Sequence, residues 1–152
     1  MALNQAFIGK IYPATAPYEV GREKIREFAT AIGDFNPAYH DPVIAQSLGY
    51  RDVIAPPTFA FTIGIGALGT VMFDPELGLD FSRVVHGEER FAFQRPVTAG
   101  DSLLVVTTIE AVRLAAGNDI LTTRFDISTE DGELVVTTWA VTVARGITEE
   151  SA

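Results

Sequence analysis

The chain has 152 residues, 47% of them hydrophobic and 10% aromatic, which is the size and make-up of one globular domain with its own core. Its formal net charge of −9, from 20 acidic against 11 basic residues, argues against a nucleic-acid partner, because phosphate contact needs clustered Lys and Arg. With no cysteine and only two histidines, the sequence offers no disulfide framework, no thiolate nucleophile and no thiolate metal site, and neither a metal nor another bound cofactor is expected.

Residues 1–17 contain Pro13 and Pro17 and little periodicity, and read as an extended arm lying over the domain. The opening MALNQAFIGK lacks a charged segment followed by a sustained apolar run, and the longest apolar stretch, Ile54 to Phe73, is interrupted by Pro56, Pro57, Gly64, Gly66 and Gly69. No signal peptide and no membrane span are expected, and the reading is a soluble cytoplasmic protein. Tyr18 to Val20 suggests a short strand. From Arg22 to Ile32 the apolar Ile25, Phe28, Ala29 and Ile32 recur at helical spacing, which predicts an amphipathic helix stopped by Gly33. Asp41 and Pro42 form an N-cap and N1 pair for a second short helix that Gly49 ends.

Pro57 to Phe73 is almost wholly apolar and predicts a helix buried on every side. Gly64, Gly66 and Gly69 each cost such a helix about 1 kcal/mol against alanine, a cost tolerated where another backbone or a ligand approaches closely. Beyond Pro75 the period changes. Arg90–Phe93, Ser102–Val112, Asp119–Ser128 and Leu134–Ala144 are rich in Val, Ile, Thr and Phe, are separated by AGD, AAGND and EDGE turn signals, and predict antiparallel strands joined by hairpins. Residues 146–152 read as a frayed acidic tail. The whole, residues 1–152, is expected to be one α+β domain of hot-dog type, a curled antiparallel sheet around a long central helix. Such an open sheet leaves an edge strand that needs a partner, so a dimer is expected.

The densest polar cluster is Ile32 to Asp41, IGDFNPAYHD, between the first two helices. GDFNPAYHD, Gly33 to Asp41, resembles the GDxNPxHxD signature of the MaoC-like (R)-specific enoyl hydratases and dehydratases. Further segments, YEVGREKIREFA, LGYRDVIAPPTF and VVHGEERFAFQRPVTAGD, resemble the actinobacterial accessory subunits of (3R)-hydroxyacyl-thioester dehydratases and the N-terminal MaoC-like dehydratase domain, over residues 5–145. The resemblance implies an acyl-thioester substrate carried on coenzyme A or acyl carrier protein, and a homodimer or a heterodimer with a catalytic MaoC-like subunit. In catalytic members an Asp and a His hold the water that is added to an enoyl thioester, where position outranks pKa.

Two positions depart from that pattern. Asp34 falls on the family's aspartate and Asn36-Pro37 on its Asn-Pro, but Tyr39 stands at the histidine position and His40 comes one residue late. At the mouth of the long helix the family's HG, whose glycine amide polarises the thioester carbonyl, is replaced by Pro56-Pro57, and proline has no N–H to give. The reading is therefore an acyl-binding subunit with a degenerate site, with Asn36, Tyr39, Pro57, Thr58 and His86 as candidate substrate-binding residues. The alternatives are a self-sufficient homodimeric hydratase using Asp34 and His40 as catalytic pair, and a non-catalytic hot-dog module that binds acyl thioesters. A hot-dog thioesterase is disfavoured, since no carboxylate lies on the long helix between Pro57 and Phe73.

Each of these residues also has a plain structural explanation. Asp34 suits a turn after Gly33, Tyr39 a core position, and His40 a surface or interface position.

Overall fold

The structure is a computed structural model that describes residues 3–146; the tail expected to fray lies, except for Gly146, outside the described residues. In chain order the elements are β1 (Tyr18–Glu19), α1 (Arg22–Ala31), α2 (Pro42–Ser47), α3 (Phe59–Met72), β2 (Val84–Phe93), β3 (Ser102–Ala115), β4 (Asn118–Thr129) and β5 (Leu134–Ala144). The five strands form one antiparallel sheet in the order β1-β3-β4-β5-β2, curled around α3 as in a hot-dog fold.

Alternation drives this arrangement. On β3 the buried Leu103, Val105, Thr107 and Ile109 share one face, and on β4 Leu121, Thr123, Phe125 and Ile127 do the same, so the pleat turns both rows toward α3. Phe59, Ile63, Ala67 and Val71 from α3 fill the hollow. Burying each such aliphatic or aromatic side chain contributes about 1.5–3 kcal/mol. Gly64 is the point of closest approach: a Cβ there would lie 3.3 Å from Thr138 Oγ1 and 3.6 Å from the Phe125 ring.

Several expectations are corrected. Strand β2 begins at Val84, six residues before Arg90, because His86 to Glu89 still pairs with β5 through an irregular register. It is not joined to β3 by a hairpin. It lies at the far edge beside β5, and residues 94–101 cross the end of the sheet, held by Ala55 N–H to Val97 O (2.7 Å) and Ala99 N–H to Val53 O (3.0 Å). Ile32, expected on the buried face of α1, caps that helix and is exposed. Helix α3 is not buried all round. Ile65, Gly66 and Thr70 face outward, and Phe73 beyond its end is 73% exposed.

The N-terminal arm serves as an extra edge strand. Gly9 and Tyr12 donate to Ile109 O and Thr107 O (2.8 and 2.9 Å), Thr15 donates to Val105 O (3.0 Å), and Ile109 donates back to Lys10 O (3.0 Å). Asp74, just past α3, then ties the arm down through Lys10 Nζ (2.7 Å) and the Tyr12 hydroxyl (3.0 Å). One edge of the sheet is thereby covered. The other, β2, pairs only with β5 among the described residues.

Where residues 94–101 turn into β3, Asp101 accepts two hydrogen bonds from Arg95 (2.8 and 3.0 Å), one from Arg51 (3.0 Å) and one from the Thr98 amide (2.8 Å). Burial pushes its carboxyl up, but Arg95, the Thr98 amide and Arg51 outweigh this and hold it below the ordinary aspartate value.

Candidate functional site

The polar cluster is a wound loop. Gly33 takes φ +73°, a conformation glycine reaches without strain, and lets Asp34 N–H return to Ala29 O at 2.9 Å. Two side-chain turns follow: Asp34 Oδ1 accepts from the Asn36 amide and Asn36 Oδ1 from the Ala38 amide, each at 3.1 Å. Pro37–Tyr39 forms a 3-10 turn, and Asp41 Oδ1 caps α2 by accepting from Val43 N–H (2.8 Å) and Ile44 N–H (3.3 Å).

The loop brings His40 to Asp34, but to its main chain. His40 Nε2 lies 3.2 Å from the Asp34 carbonyl oxygen, and since a carbonyl only accepts, Nε2 is the protonated nitrogen in this contact. The ring stacks against Phe35, with centroids 6.2 Å apart, and Arg26 Nε holds the His40 carbonyl at 3.0 Å. Tyr39, at the position where the motif has histidine, is buried. Burial first, then the Asp34 charge, raises its phenol above the usual tyrosine value, so it stays neutral and serves no base role near neutral pH.

At the mouth of α3, Thr58 is the N-cap residue but makes no side-chain capping bond. Pro57 carries no N–H, and the Phe59 amide is already bound to Pro56 O at 2.9 Å. The donor at position 57 is thus missing, and the Phe59 amide is engaged.

His86 lies elsewhere, on β2, where its ring stacks on Phe61 of α3 at 5.6 Å and its Nε2 reaches Glu89 Oε2 at 3.2 Å. Only 12% of the Glu89 side chain is exposed, and burial, opposed by His86, raises its carboxyl above the ordinary glutamate value. Two apolar cavities meet here. One of about 300 Å³ runs along Ile65, Leu68 and Met72 to Phe73 and Phe81; the other, of about 270 Å³, is lined by Phe28, Thr58, Glu89 and Phe91. Phe61 and His86 line both. Asp34, Asn36, Tyr39, His40 and Pro57 line neither, so of the predicted site residues only Thr58 and His86 reach this groove.

Sequence reasoning missed Glu89, because a strict two-residue period puts positions 86 and 89 on opposite faces. A glycine inside a strand was the available signal for the bulge that changes this.

A curled antiparallel sheet wrapped on one helix, with the GDxNP turn beside it, defines a hot-dog protein of the MaoC-like dehydratase class. The chain belongs to this family: residues 6–138 match the model of the FAS1-like dehydratase domain region. It is 60% identical over 149 residues to a UPF0336 protein of Streptomyces coelicolor, covering 98% of this chain and 99% of that one. Among solved structures it resembles a MaoC-like dehydratase at 32% identity and TM-score 0.87, covering 93% of this chain but only 43% of that longer one. It also resembles the HadBC (3R-hydroxyacyl-ACP dehydratase) complex of Mycobacterium tuberculosis at 33% identity and TM-score 0.80, covering 90% of this chain and 96% of that one. Among the described residues no helix is long and apolar enough to cross a membrane.

Proposed function

We propose that this chain is the acyl-binding subunit of a (3R)-hydroxyacyl-thioester dehydratase or (R)-enoyl hydratase, paired with a catalytic MaoC-like subunit. The reaction adds the oxygen of water to the β-carbon of an enoyl thioester and a proton to the α-carbon, or runs in reverse. It requires one group to activate water and another to polarise the carbonyl. The observation that carries the reading is the state of both groups here: His40 Nε2 is held by the Asp34 carbonyl, and the α3 mouth offers Pro57 and an occupied Phe59 amide. Losing one oxyanion donor alone typically lowers rate about 10²–10³-fold. What remains is a groove between α3 and β2 suited to an apolar chain, beside an edge strand open to a partner. The similarity to a protein described as a 3R-hydroxyacyl-ACP dehydratase complex supports the same reading.

A second reading, a self-sufficient homodimer, is favoured by one observation: the loop brings the displaced His40 ring back beside Asp34, 3.2 Å from its main-chain carbonyl oxygen. Loss of enoyl absorbance from short and long trans-2-enoyl coenzyme A separates the two. The expected result is no turnover by the purified chain, turnover once a catalytic MaoC-like subunit is added, and no effect of Asp34→Asn on that turnover. Turnover by the chain alone, abolished by Asp34→Asn or His40→Ala, would establish the homodimer instead. Ligand-induced thermal stabilisation without turnover under either pairing would leave a non-catalytic acyl-thioester-binding module.

A further inference from the structure

We infer that His86 and Glu89 form a polar clamp that recognises a hydroxyl on the acyl chain, separate from the Asp34–His40 loop; this deepens the acyl-binding reading above and rests on it. Strand β2 pairs His86 with Thr142 but Glu88 with Val141, so Gly87 is the extra residue of a bulge. The bulge puts His86 and Glu89 on one face, where Nε2 and Oε2 stand 3.2 Å apart. Only glycine fits this position without displacement, because a Cβ there would lie 3.2 Å from Val143 Cγ2 and 3.3 Å from Val141 O.

The pair stands at the groove formed by the two apolar cavities, His86 lining both and Glu89 the smaller. Its walls, Phe28, Phe61 and Phe91 on one side and Ile65, Leu68 and Met72 on the other, provide no charged partner for Glu89. Burying a carboxyl among such groups is costly unless its hydrogen bonds are made. Beneath it the fully buried Thr138 hydroxyl lies near enough to Glu89 to favour the charged form. An imidazole that lines both cavities and a carboxyl on the smaller one suit a chain with apolar carbon on one side, a hydroxyl at the junction, and its head toward Thr58. A ligand hydroxyl inserted between them would accept from His86 Nε2–H and donate to Glu89, replacing their direct contact.

The test is calorimetric binding of two uncharged probes to the purified chain, the N-acetylcysteamine thioesters of (R)-3-hydroxydecanoate and of decanoate. The hydroxylated probe is expected to bind about tenfold tighter, the gain of one well-made hydrogen bond to a charged group. Glu89→Leu is expected to abolish that preference while retaining decanoyl binding. Glu89→Gln, which keeps shape and hydrogen bonding, should reduce it to about threefold, and it carries the test if the leucine variant fails to fold. Equal binding of both probes, a preference that survives Glu89→Leu, or binding that weakens as protein concentration rises because a second copy fills the groove, would each overturn the clamp. Because binding is read on the chain alone, a failure of partner-dependent turnover would count against the subunit reading and leave this result standing.

Discussion

The three glycines of α3 give a sharp test of which helix face is packed. Replacing a helical glycine by alanine stabilises by about 1 kcal/mol when the new methyl meets nothing. At Gly66 and Gly69 a Cβ would have no atom within 4 Å, so each variant is expected to gain about that amount. For a chain of this size 1 kcal/mol is about 2–4 °C in melting temperature. At Gly64 the same gain is opposed by the contact 3.3 Å from Thr138 Oγ1 and 3.6 Å from the Phe125 ring, and overpacking costs about 1–3 kcal/mol. Gly64→Ala should therefore range from neutral to about 2 kcal/mol destabilised. Thermal and urea denaturation of the purified chain, read by circular dichroism, gives both quantities. Destabilisation by Gly66→Ala or Gly69→Ala would refute the claim that this face is open in the free chain, and would mean that a second copy or a bound chain lies against it.

Two further predictions concern charges that hold chain segments. The Asp101 carboxyl is depressed in the folded state, so its stabilisation is complete above the unfolded aspartate value of about 3.9 and is lost as pH falls through the lower folded value. Asp101→Asn should cost about 3 kcal/mol at pH 7, since it leaves the Arg95 and Arg51 bonds unmatched, and the loss should shrink as the wild type is acidified below pH 4. A pH-independent difference in urea unfolding would contradict this. Asp74 is likewise depressed, chiefly by its bond from Lys10 against the opposing effect of burial. Asp74→Ala should loosen the N-terminal arm, seen as faster hydrogen exchange at the Gly9, Tyr12 and Thr15 amides, while the β4 and β5 amides remain protected. Unchanged exchange at those three amides would show that the β3 ladder alone holds the arm.

Local chemistry made much of the molecule legible. The Asp41-Pro42 cap, the stops at Gly33 and Gly49, and the strands at Ser102, Asp119 and Leu134 all follow from near-neighbour rules, and all are found within a few residues. The candidate loop was legible for the same reason, since two side-chain turns and a proline determine its winding within six residues. The displacement of His40 was visible as a register in the motif, but the group that receives its Nε2 was not, because it is a main-chain carbonyl six positions away.

The sequence by itself determined most of the helix and strand segments, the hot-dog class, and the absence of histidine at position 39 and of an N–H at position 57. Tertiary structure alone decided the rest: that β2 crosses to the far edge beside β5, that α3 leaves one face open, and that a bulge at Gly87 turns Glu89 toward His86 between two cavities. The physical reason is range. Caps, turns and periodicity are settled by residues within about one helical turn, whereas strand order, an exposed helix face and a carboxyl's neighbours depend on contacts made only after the sheet has curled around the helix.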